Sequence, residues 1–199
     1  IERGRIFGSD HGMIPPVIPP GVKVLSMGFL LENPDSPVVW RGPLKHGVIK
    51  QFLTEADWGE LDYLVVDLPP GTGDEPLSVA QAIKGDAGSL IVTTPQSVAL
   101  LDSRKAVIFS RLLGIPVLGI VENMSGLLCP HCGGSVELFK TGGGEQAARE
   151  LGVPFLGRIP IEPEIVRSSD DGLPFVLSLN GSAAIQSFKD IAGRVAAAM

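Results

Sequence analysis

The chain has 199 residues, of which 44% are hydrophobic and 19% charged, a balance typical of a globular domain large enough to bury a core without disulfides. Its formal net charge of −6 and its scattered Lys and Arg residues argue against a nucleic-acid partner. Membrane spans and secretory leaders are not expected, because no apolar run is long enough and no charged-then-apolar pattern opens the sequence. The two cysteines cannot form a disulfide framework, so we expect a reducing, cytoplasmic compartment.

The first part of the chain is predicted to be an arm followed by a strand and a helix. Residues 1–21 are rich in Pro and Gly and are expected to form a loop or extended arm, whereas residues 22–199 are expected to form a single domain. Residues 22–27 are typical of a short strand. Pro43 is well placed as the first residue of a helix that ends near Ala56. One face of this predicted helix is apolar and carries Leu44, Val48, Phe52 and Leu53.

The stretch around Asp67 combines the features of a buried strand and a ligand-binding loop. Residues 63–66 are apolar and partly β-branched, which favours a buried strand. The run ends at Asp67, two prolines then prevent further ladder pairing, and Gly71-Thr72-Gly73 permits a sharp turn or a close approach to a ligand. Ligands of open α/β sheets bind at the carboxyl ends of the strands. From these residues alone, a solvent-exposed Asp beside a Pro-Pro-Gly turn is an equally good interpretation.

Strands and helices alternate along the rest of the chain. Short apolar runs predict strands at 89–94, 116–121 and 154–159, whereas residues 122–141 are expected to be irregular. Such alternation implies right-handed crossovers and a mostly parallel sheet with helices on both faces, so the predicted fold class is α/β. The predicted helices of this part span residues 75–83, 98–113, 142–151 and 183–198.

Cys129 and Cys132 form a C-x-x-C pair in a glycine-flanked loop at residues 126–134. This spacing allows both thiolates to bind one metal, but zinc sites and cubane clusters need four ligands. His11 and His46 are remote in the sequence, so the economical arrangement is a two-fold dimer in which each chain contributes two thiolates. A thioredoxin-type redox pair would normally begin a helix, and no helical pattern follows directly here. A redox pair and a pair of inert thiols remain as alternative interpretations.

Several longer sequence blocks are together much more specific than any single motif. They closely resemble, in the same order, the Mrp/ApbC family of iron–sulfur cluster carrier ATPases, which are relatives of MinD within the P-loop NTPases. The resemblance extends from Gly21 to the C-terminus. The blocks are WRGPL at 40–44, WGELDYLVVDLPPGTGD at 58–74, VTTPQSVALLDSRKA at 92–106, GIVENMSGLLCPHCG at 119–133 and PFLGRIPIEP at 154–163.

The resemblance implies that three loops bind ATP. Asp67 matches the Walker B or switch II aspartate, which would organise Mg²⁺, and Gly71 would present its N–H near the γ-phosphate. Loops of this kind order and relax with that phosphate. Asn123 matches the asparagine that hydrogen-bonds adenine, and Pro160 and Glu162 belong to the neighbouring base-side loop. Taken alone, Asn123 is more typical of a turn at the end of a strand.

The resemblance also implies a cargo and an assembly. Cys129 and Cys132 match the cluster-binding pair, which implies a 4Fe-4S cluster bridged between the subunits of a homodimer and delivered to apo iron–sulfur client proteins. Trp40 is as typical of a packed aromatic residue as of an interface anchor. Arg41 is as typical of an ordinary surface charge as of an interface residue. A non-catalytic dimer bridged by zinc is the alternative function. A membrane-binding ATPase is not favoured, because the last helix lacks a basic amphipathic face.

One element of the family is not found in these 199 residues. A P-loop NTPase holds phosphate with the string G-x-x-x-x-G-K-[ST], and no glycine run here is followed by Lys-Ser or Lys-Thr. We expect the family's first strand, P-loop and first helix to lie before Ile1. For the chain as given, this predicts poor ATP hydrolysis. It also predicts an exposed apolar edge at residues 63–66, because the P-loop strand is their neighbour in this fold.

Overall fold

The computed structural model describes residues 7–9, 12–31, 33, 35, 42–83, 85, 87–129, 131–178 and 182–199. Trp40 and Arg41, for which the sequence predicts packing or interface roles, lie outside these ranges, as does Pro130 of the cysteine loop. The chain divides into two compact units, Ile1–Lys84 and Gly85–Met199.

Short antiparallel ladders occupy the start of the first unit. They lie largely within the arm predicted at residues 1–21, and the strand predicted at 22–27 is reduced to its first two residues. A 3-10 helix, Met27–Leu30, follows it. The paired strands are β1 (Phe7–Ser9) with β2 (Gly12–Ile14), and β3 (Val17–Ile18) with β4 (Val22–Lys23).

Two helices complete the first unit and lie close to their predicted bounds. Helix α1 spans Gly42–Thr54 and helix α2 spans Asp74–Ala82. The two pack against each other, with Val79 of α2 buried. The Lys45 ammonium and the Glu75 carboxylate form an ion pair of 2.5 Å between the two helices. Both helices are therefore confirmed, and their contact is partly polar.

Residues 63–66 do not form a strand, so this sequence-based prediction is wrong. Residues 61–69 have no ladder partner in the part of the chain that the structure describes, and the side chains of Tyr63 and Val65 are 57% and 88% exposed. A strand is stable only where neighbours satisfy its N–H and C=O groups. The apolar side chains of this stretch are exposed, as predicted, but they do not form the edge of a strand, because the backbone has no ladder partner among the described residues.

The second unit is built on a parallel sheet. Strands β5 (Ser89–Thr93), β6 (Val117–Glu122) and β9 (Phe155–Arg158) pair in parallel, with β6 in the centre. All three lie close to their predicted bounds. An antiparallel hairpin of β7 (Leu127–Leu128) and β8 (Ser135–Val136) interrupts the segment that the sequence predicts to be irregular.

Helices cover both faces of this sheet. Adjacent residues of β6 point to opposite faces, as alternation in a strand requires. Ile120 packs in one buried cluster with Val107 and with Ala147, whereas Val121 packs in a second cluster with Ile191. The α/β prediction with helices on both faces is therefore confirmed. The helices of the second unit are α3 (Ser97–Leu112), α4 (Gly143–Leu151), α5 (Pro163–Asp170), α6 (Phe175–Ser178) and α7 (Ala183–Ala198).

Helices α5 and α6 go beyond the predicted elements. Both are short, and a short helix carries too few turns for a clear hydrophobic period. The start of α5 does follow a local rule, because Pro163 occupies the first turn, where its missing N–H costs nothing.

Candidate functional site

The two cysteines lie at the tip of the β7–β8 hairpin. The hairpin is closed by the Cys129 N–H, which donates to the Gly134 carbonyl at 2.9 Å, and by the Gly133 N–H, which donates to the Cys129 carbonyl at 2.8 Å. The Cys129 side chain is half-buried and that of Cys132 is exposed, and both thiols are free. A tight turn therefore presents both sulfur atoms at one end of a short ladder.

The hairpin also stabilises negative charge on Cys129. The backbone N–H groups of His131 and Cys132 hydrogen-bond to its sulfur and lower the pKa of Cys129 below its usual value, and the Cys132 thiol adds a smaller contribution in the same direction. Thiolates, not thiols, bind metals and act as nucleophiles. Cys129 is therefore prepared by its backbone surroundings to act as an anionic ligand.

Within the described ranges, no group of three or more His, Cys, Asp or Glu side chains is placed to hold a metal ion. The hairpin thus offers two thiolates, half of the four ligands that a structural zinc ion or a cubane cluster takes. Among the described residues of the loop, no helix begins at the cysteines, and the next described helix is α4 at Gly143. The arrangement differs in this respect from the helix N-terminus of a thioredoxin-type pair.

Glu122, at the carboxyl end of β6, is the most heavily bonded side chain near the hairpin. It is fully buried, with 0% of its surface exposed. Its Oε1 accepts from the Ser125 hydroxyl at 2.5 Å and from the Gly142 N–H at 2.8 Å, and its Oε2 accepts from the Gly144 N–H at 2.6 Å. The guanidinium of Arg158 lies 3.6 Å from Oε1. A buried carboxylate is stable where donors and a cation surround it in this way.

The backbone beyond Glu122 runs alongside the loop that follows β9. The Asn123 N–H donates to the Thr93 carbonyl at 2.7 Å, and the Ser125 N–H donates to the Ile159 carbonyl at 2.9 Å. The Asn123 side-chain oxygen accepts from the Met124 N–H at 2.9 Å. The structure therefore places Asn123 on a strand extension that is fixed to the segment just before Pro160, and both residues are half-buried.

Glu162 is engaged with a helix terminus. Its Oε2 accepts from the Ser182 hydroxyl at 2.5 Å and from the Ala184 N–H at 3.3 Å. Ser182 is the N-cap of α7 and accepts from the Ile185 N–H. A carboxylate at this position is favoured by the partial positive charge of a helix N-terminus. Glu162 thus links the loop after β9 to the last helix.

Asp67 and Gly71 belong to the first unit. Both residues are exposed, and Gly71 has a φ of +99°, a backbone conformation that side-chain-bearing residues rarely adopt. The loop leads into α2, whose first turn carries Asp74 and Glu75. This positive φ explains why the loop has a glycine at position 71.

Comparison with known proteins identifies the family. The model of the ParA family, described as NUBPL iron-transfer P-loop NTPase, matches residues 2–196. The chain belongs to this family. An iron–sulfur cluster carrier protein of Methanocaldococcus jannaschii is 47% identical over 195 residues, which cover 98% of this chain and 67% of the relative. The cytosolic Fe-S cluster assembly factor NUBP2 of Bos taurus is 46% identical, with 97% of this chain and 73% of the relative covered.

Solved structures agree with this ParA-family membership. A nucleotide-binding protein of Archaeoglobus fulgidus, in complex with ADP, matches with a TM-score of 0.70 and 40% identity over 84% of this chain and 64% of that one. The cell division ATPase MinD of Pyrococcus furiosus matches with a TM-score of 0.56 and 22% identity over 80% of this chain and 60% of that one, which supports the fold alone. The chain spans about two thirds of the length of these relatives. Among the described residues, no helix is both long and apolar enough to span a bilayer.

Sequence reasoning about this ParA-family chain missed Glu122. In the GIVENMS block, the sequence pointed to Asn123 but not to Glu122, the acid directly before it. Two signals were present: an ionisable residue at the end of an apolar run, and three consecutive glycines at 142–144 whose N–H groups are accessible to an acceptor. Gly144 lies close against Glu122, because an added Cβ would lie 3.1 Å from the Glu122 Cβ. Two of the three glycines, Gly142 and Gly144, therefore donate their N–H groups to a carboxylate of the same chain.

Proposed function

We propose that this chain carries an iron–sulfur cluster on Cys129 and Cys132 and transfers it to apoproteins. The cluster is the cargo, and the cysteine hairpin is its binding site. The observation that carries the proposal is the hairpin tip itself, where backbone N–H groups stabilise the Cys129 thiolate beside a second thiol. Membership of an iron-transfer family and relatives named as cluster carriers and assembly factors support the same function.

The cluster is 4Fe-4S and is bridged between two copies of the chain. A cubane cluster takes four thiolates, and the described residues of one chain offer two at the hairpin. A two-fold axis through the cluster would supply the other two from the same positions of the second copy. The exposure of Cys132 and of the described loop around it leaves this end of the hairpin accessible to a partner. The partners are thus a second copy and, in turn, the apo client proteins.

In this proposal, cluster transfer by the carrier depends on the binding of ATP. In the first unit, Asp67 would organise Mg²⁺ and Gly71 would contact the γ-phosphate. In the second unit, Asn123, Pro160 and Glu162 would contact the base. The positive φ of Gly71 and the fixed backbone around Asn123 support these roles. The A. fulgidus relative is described in complex with ADP. We further propose a cytosolic location, as the name of the B. taurus relative states for that protein.

A zinc-bridged, non-catalytic dimer is the second candidate, because the same observation favours it. Four thiolates from two hairpins would suit tetrahedral zinc as well as a cluster. Zinc and an iron–sulfur cluster differ in colour and in inorganic sulfide, so one experiment separates the two candidates.

The experiment is anaerobic reconstitution of the full chain with iron and sulfide, followed by metal and sulfide analysis and visible absorption. The wild type is expected to gain a brown chromophore with iron and sulfide in equal amounts, and the double variant Cys129→Ser, Cys132→Ser is expected to gain neither. The matched control is His131→Ala, which changes an exposed side chain of the same loop and keeps the backbone N–H. Unchanged iron and sulfide in the double variant would refute the cysteine site, and zinc without sulfide in every preparation would favour the second candidate.

A further inference from the structure

The cysteine loop has little packing of its own. All residues from 131 to 140 are exposed, and the hairpin ladder consists of two residue pairs, Leu127–Val136 and Leu128–Ser135. A short two-stranded hairpin is marginally stable in water unless something else holds it. The position of the cysteines therefore depends on how the two ends of the loop are fixed to the rest of the second unit.

One carboxylate oxygen joins the two ends of the loop. The start of the loop is also held to the segment after β9, by the Ser125 N–H on the Ile159 carbonyl at 2.9 Å and by the Ile161 N–H on the Gly126 carbonyl at 2.8 Å. Ser125, where the loop leaves the extension of β6, donates its hydroxyl to Glu122 Oε1 at 2.5 Å. Gly142, where the loop returns to the start of α4, donates its N–H to the same oxygen at 2.8 Å. The two ends are separated by residues 126–141, which include both cysteines. Glu122 thus closes a loop of which it is not itself a part.

The carboxylate has little freedom to move. Its other oxygen accepts from the Gly144 N–H at 2.6 Å, and an added Cβ on Gly144 would lie 3.2 Å from that oxygen. Arg158, whose guanidinium approaches Oε1, is itself ion-paired with Glu145 of α4. Glu122 is also the last residue of the central strand. The anchor of the loop is therefore part of the most buried element of the unit.

We infer that Glu122 is a positioning residue that fixes the cysteine loop at both ends and so limits the rate at which the cluster is released. This inference rests on the proposed carrier function. Cluster transfer is a ligand exchange, in which a thiolate of the acceptor replaces a thiolate of the carrier on each cluster iron without any change in oxidation state. The proton lost by the acceptor thiol is taken up by the released carrier thiolate. A loop whose two ends are joined through one carboxylate lets its thiolates leave the cluster irons less often than a loop whose ends are held separately.

The test compares two hydroxyl deletions in the full chain. Ser125→Ala removes one bond to Glu122 and leaves the bonds from Gly142 and Gly144. The control is Thr141→Val, which removes a hydroxyl that donates to Glu137 within the same loop at 2.9 Å and does not contact Glu122. In metal-free protein, Ser125→Ala is expected to raise amide hydrogen exchange of residues 127–136 about tenfold, the factor that corresponds to losing one hydrogen bond to a charged acceptor. Exchange in β6 and β9 is expected to stay unchanged.

The second readout is cluster transfer from reconstituted protein to an apo ferredoxin, followed by circular dichroism in the visible range. Ser125→Ala is expected to bind the same amount of cluster as the wild type and to release it several-fold faster, whereas Thr141→Val behaves as the wild type. Glu122→Gln, which keeps the shape and one carbonyl oxygen of the side chain, is expected to increase exchange and release in the same direction as Ser125→Ala.

Three outcomes would overturn the inference. They are wild-type loop exchange in both Ser125→Ala and Glu122→Gln, a rise in the exchange of β6 and β9 equal to that of the loop in Ser125→Ala, and an unaltered release rate in a variant whose loop exchange has risen. The exchange measurement needs no cluster, so its result is independent of the carrier function. A wild-type protein that binds no cluster would refute the proposed function, and with it the release step, while the anchoring of the loop would still be decided by exchange.

Discussion

Two stretches of the chain share one sequence pattern but differ in structure. Residues 63–67 and residues 118–122 are both largely apolar runs that end in an acid and are followed by a turn or loop. Glu122 is fully buried at the end of the central strand of a parallel sheet. Asp67 is exposed, and Val65, two residues before it, is 88% exposed in a segment without ladder pairing among the described residues.

The difference lies in the neighbours and not in the runs themselves. Strand β6 has a parallel partner on each side, so its backbone groups are satisfied and both of its faces are covered. Residues 63–67 have no ladder partner within the described ranges. An acid is kept in the interior only where donors converge on it, as the N–H groups of Gly142 and Gly144 do on Glu122. A pattern of apolar residues and an acid therefore predicts a site only together with the strands around it.

Removal of each acid should give the largest difference in stability between the two runs. Glu122→Ala is expected to destabilise the protein by about 3 kcal/mol, because the N–H groups of Gly142 and Gly144 and the Arg158 guanidinium lose their acceptor. Asp67→Ala is expected to change stability by less than about 0.5 kcal/mol, as exposed substitutions do. Urea unfolding followed by far-ultraviolet circular dichroism measures both. Equal changes in the two variants would mean that burial of the acid is not what distinguishes the two runs.

One valine in each run, Val121 next to Glu122 and Val65 two residues before Asp67, provides a second comparison with a smaller expected effect. Val121 is 2% exposed and packs in the cluster with Leu156 and Ile191, whereas Val65 is 88% exposed. Val121→Ala is expected to cost about 2 kcal/mol from the lost transfer energy and the cavity left behind. Val65→Ala is expected to be neutral within about 0.5 kcal/mol. A comparable loss of stability in Val65→Ala would show that residues 63–66 are covered in solution.

Much of the second unit could be predicted from sequence because its signals are local and repeated. Strands β5, β6 and β9 are short apolar runs between helical patterns, and the parallel order follows from that alternation. The failure at residues 63–66 has a different origin, since the composition of a strand says nothing about whether a partner is present. Helices α5 and α6 were missed because their length gives too few turns to detect.

Cys129 extends the comparison to a second anion held by backbone N–H groups. Because the donors from His131 and Cys132 favour the thiolate, the pKa of Cys129 in the folded protein lies below that of the unfolded chain. The resulting stabilisation is present above the pKa of the unfolded thiol and is lost as the pH falls through the folded value. The alkylation rate of Cys129 in metal-free protein should therefore have its midpoint at a lower pH when folded than in urea.

The matching variant for this titration is Cys132→Ser. It keeps both backbone donors and removes the thiol of Cys132, the smallest of the three favourable interactions. The pH midpoint of Cys129 alkylation in this variant is expected to stay below that of the unfolded protein. Mass spectrometry of the alkylated protein measures it. Identical midpoints for folded and unfolded protein would show that the hairpin does not activate Cys129.

The candidate site could be predicted only in part, for reasons that concern partners distant in sequence. The C-x-x-C spacing suffices to nominate Cys129 and Cys132, because both ligands lie in one turn. The role of Glu122 depends on Gly142 and Gly144, which reach it through the fold and not through spacing. The contact of Glu162 with α7 likewise depends on partners distant in sequence, because its carboxylate accepts from Ser182 and Ala184 at the start of that helix.

Two solvent-accessible ion pairs, Lys45–Glu75 in the first unit and Arg104–Glu150 in the second, should show the smallest effects. Lys45 lowers the pKa of Glu75, and Arg104 lowers the pKa of Glu150. Because both pKa values are lowered, any stabilisation is present above the pKa of the unfolded carboxyl group and is lost as the pH falls through the folded value. Lys45→Met and Arg104→Met should therefore lower the melting temperature slightly at neutral pH and leave it unchanged in acid.

In the same two variants, the pKa values of Glu75 and Glu150 should return toward their usual values. NMR titration of the carboxyl groups measures this change. Solvent screens such pairs, and exposed ion pairs contribute little to stability. The two variants are thus expected to resemble each other although they lie in different units, and both should resemble Asp67→Ala more than Glu122→Ala. If Arg104→Met were as destabilising as Glu122→Ala, membership of the second unit, and not burial of the charge, would determine the cost of losing an ionic partner.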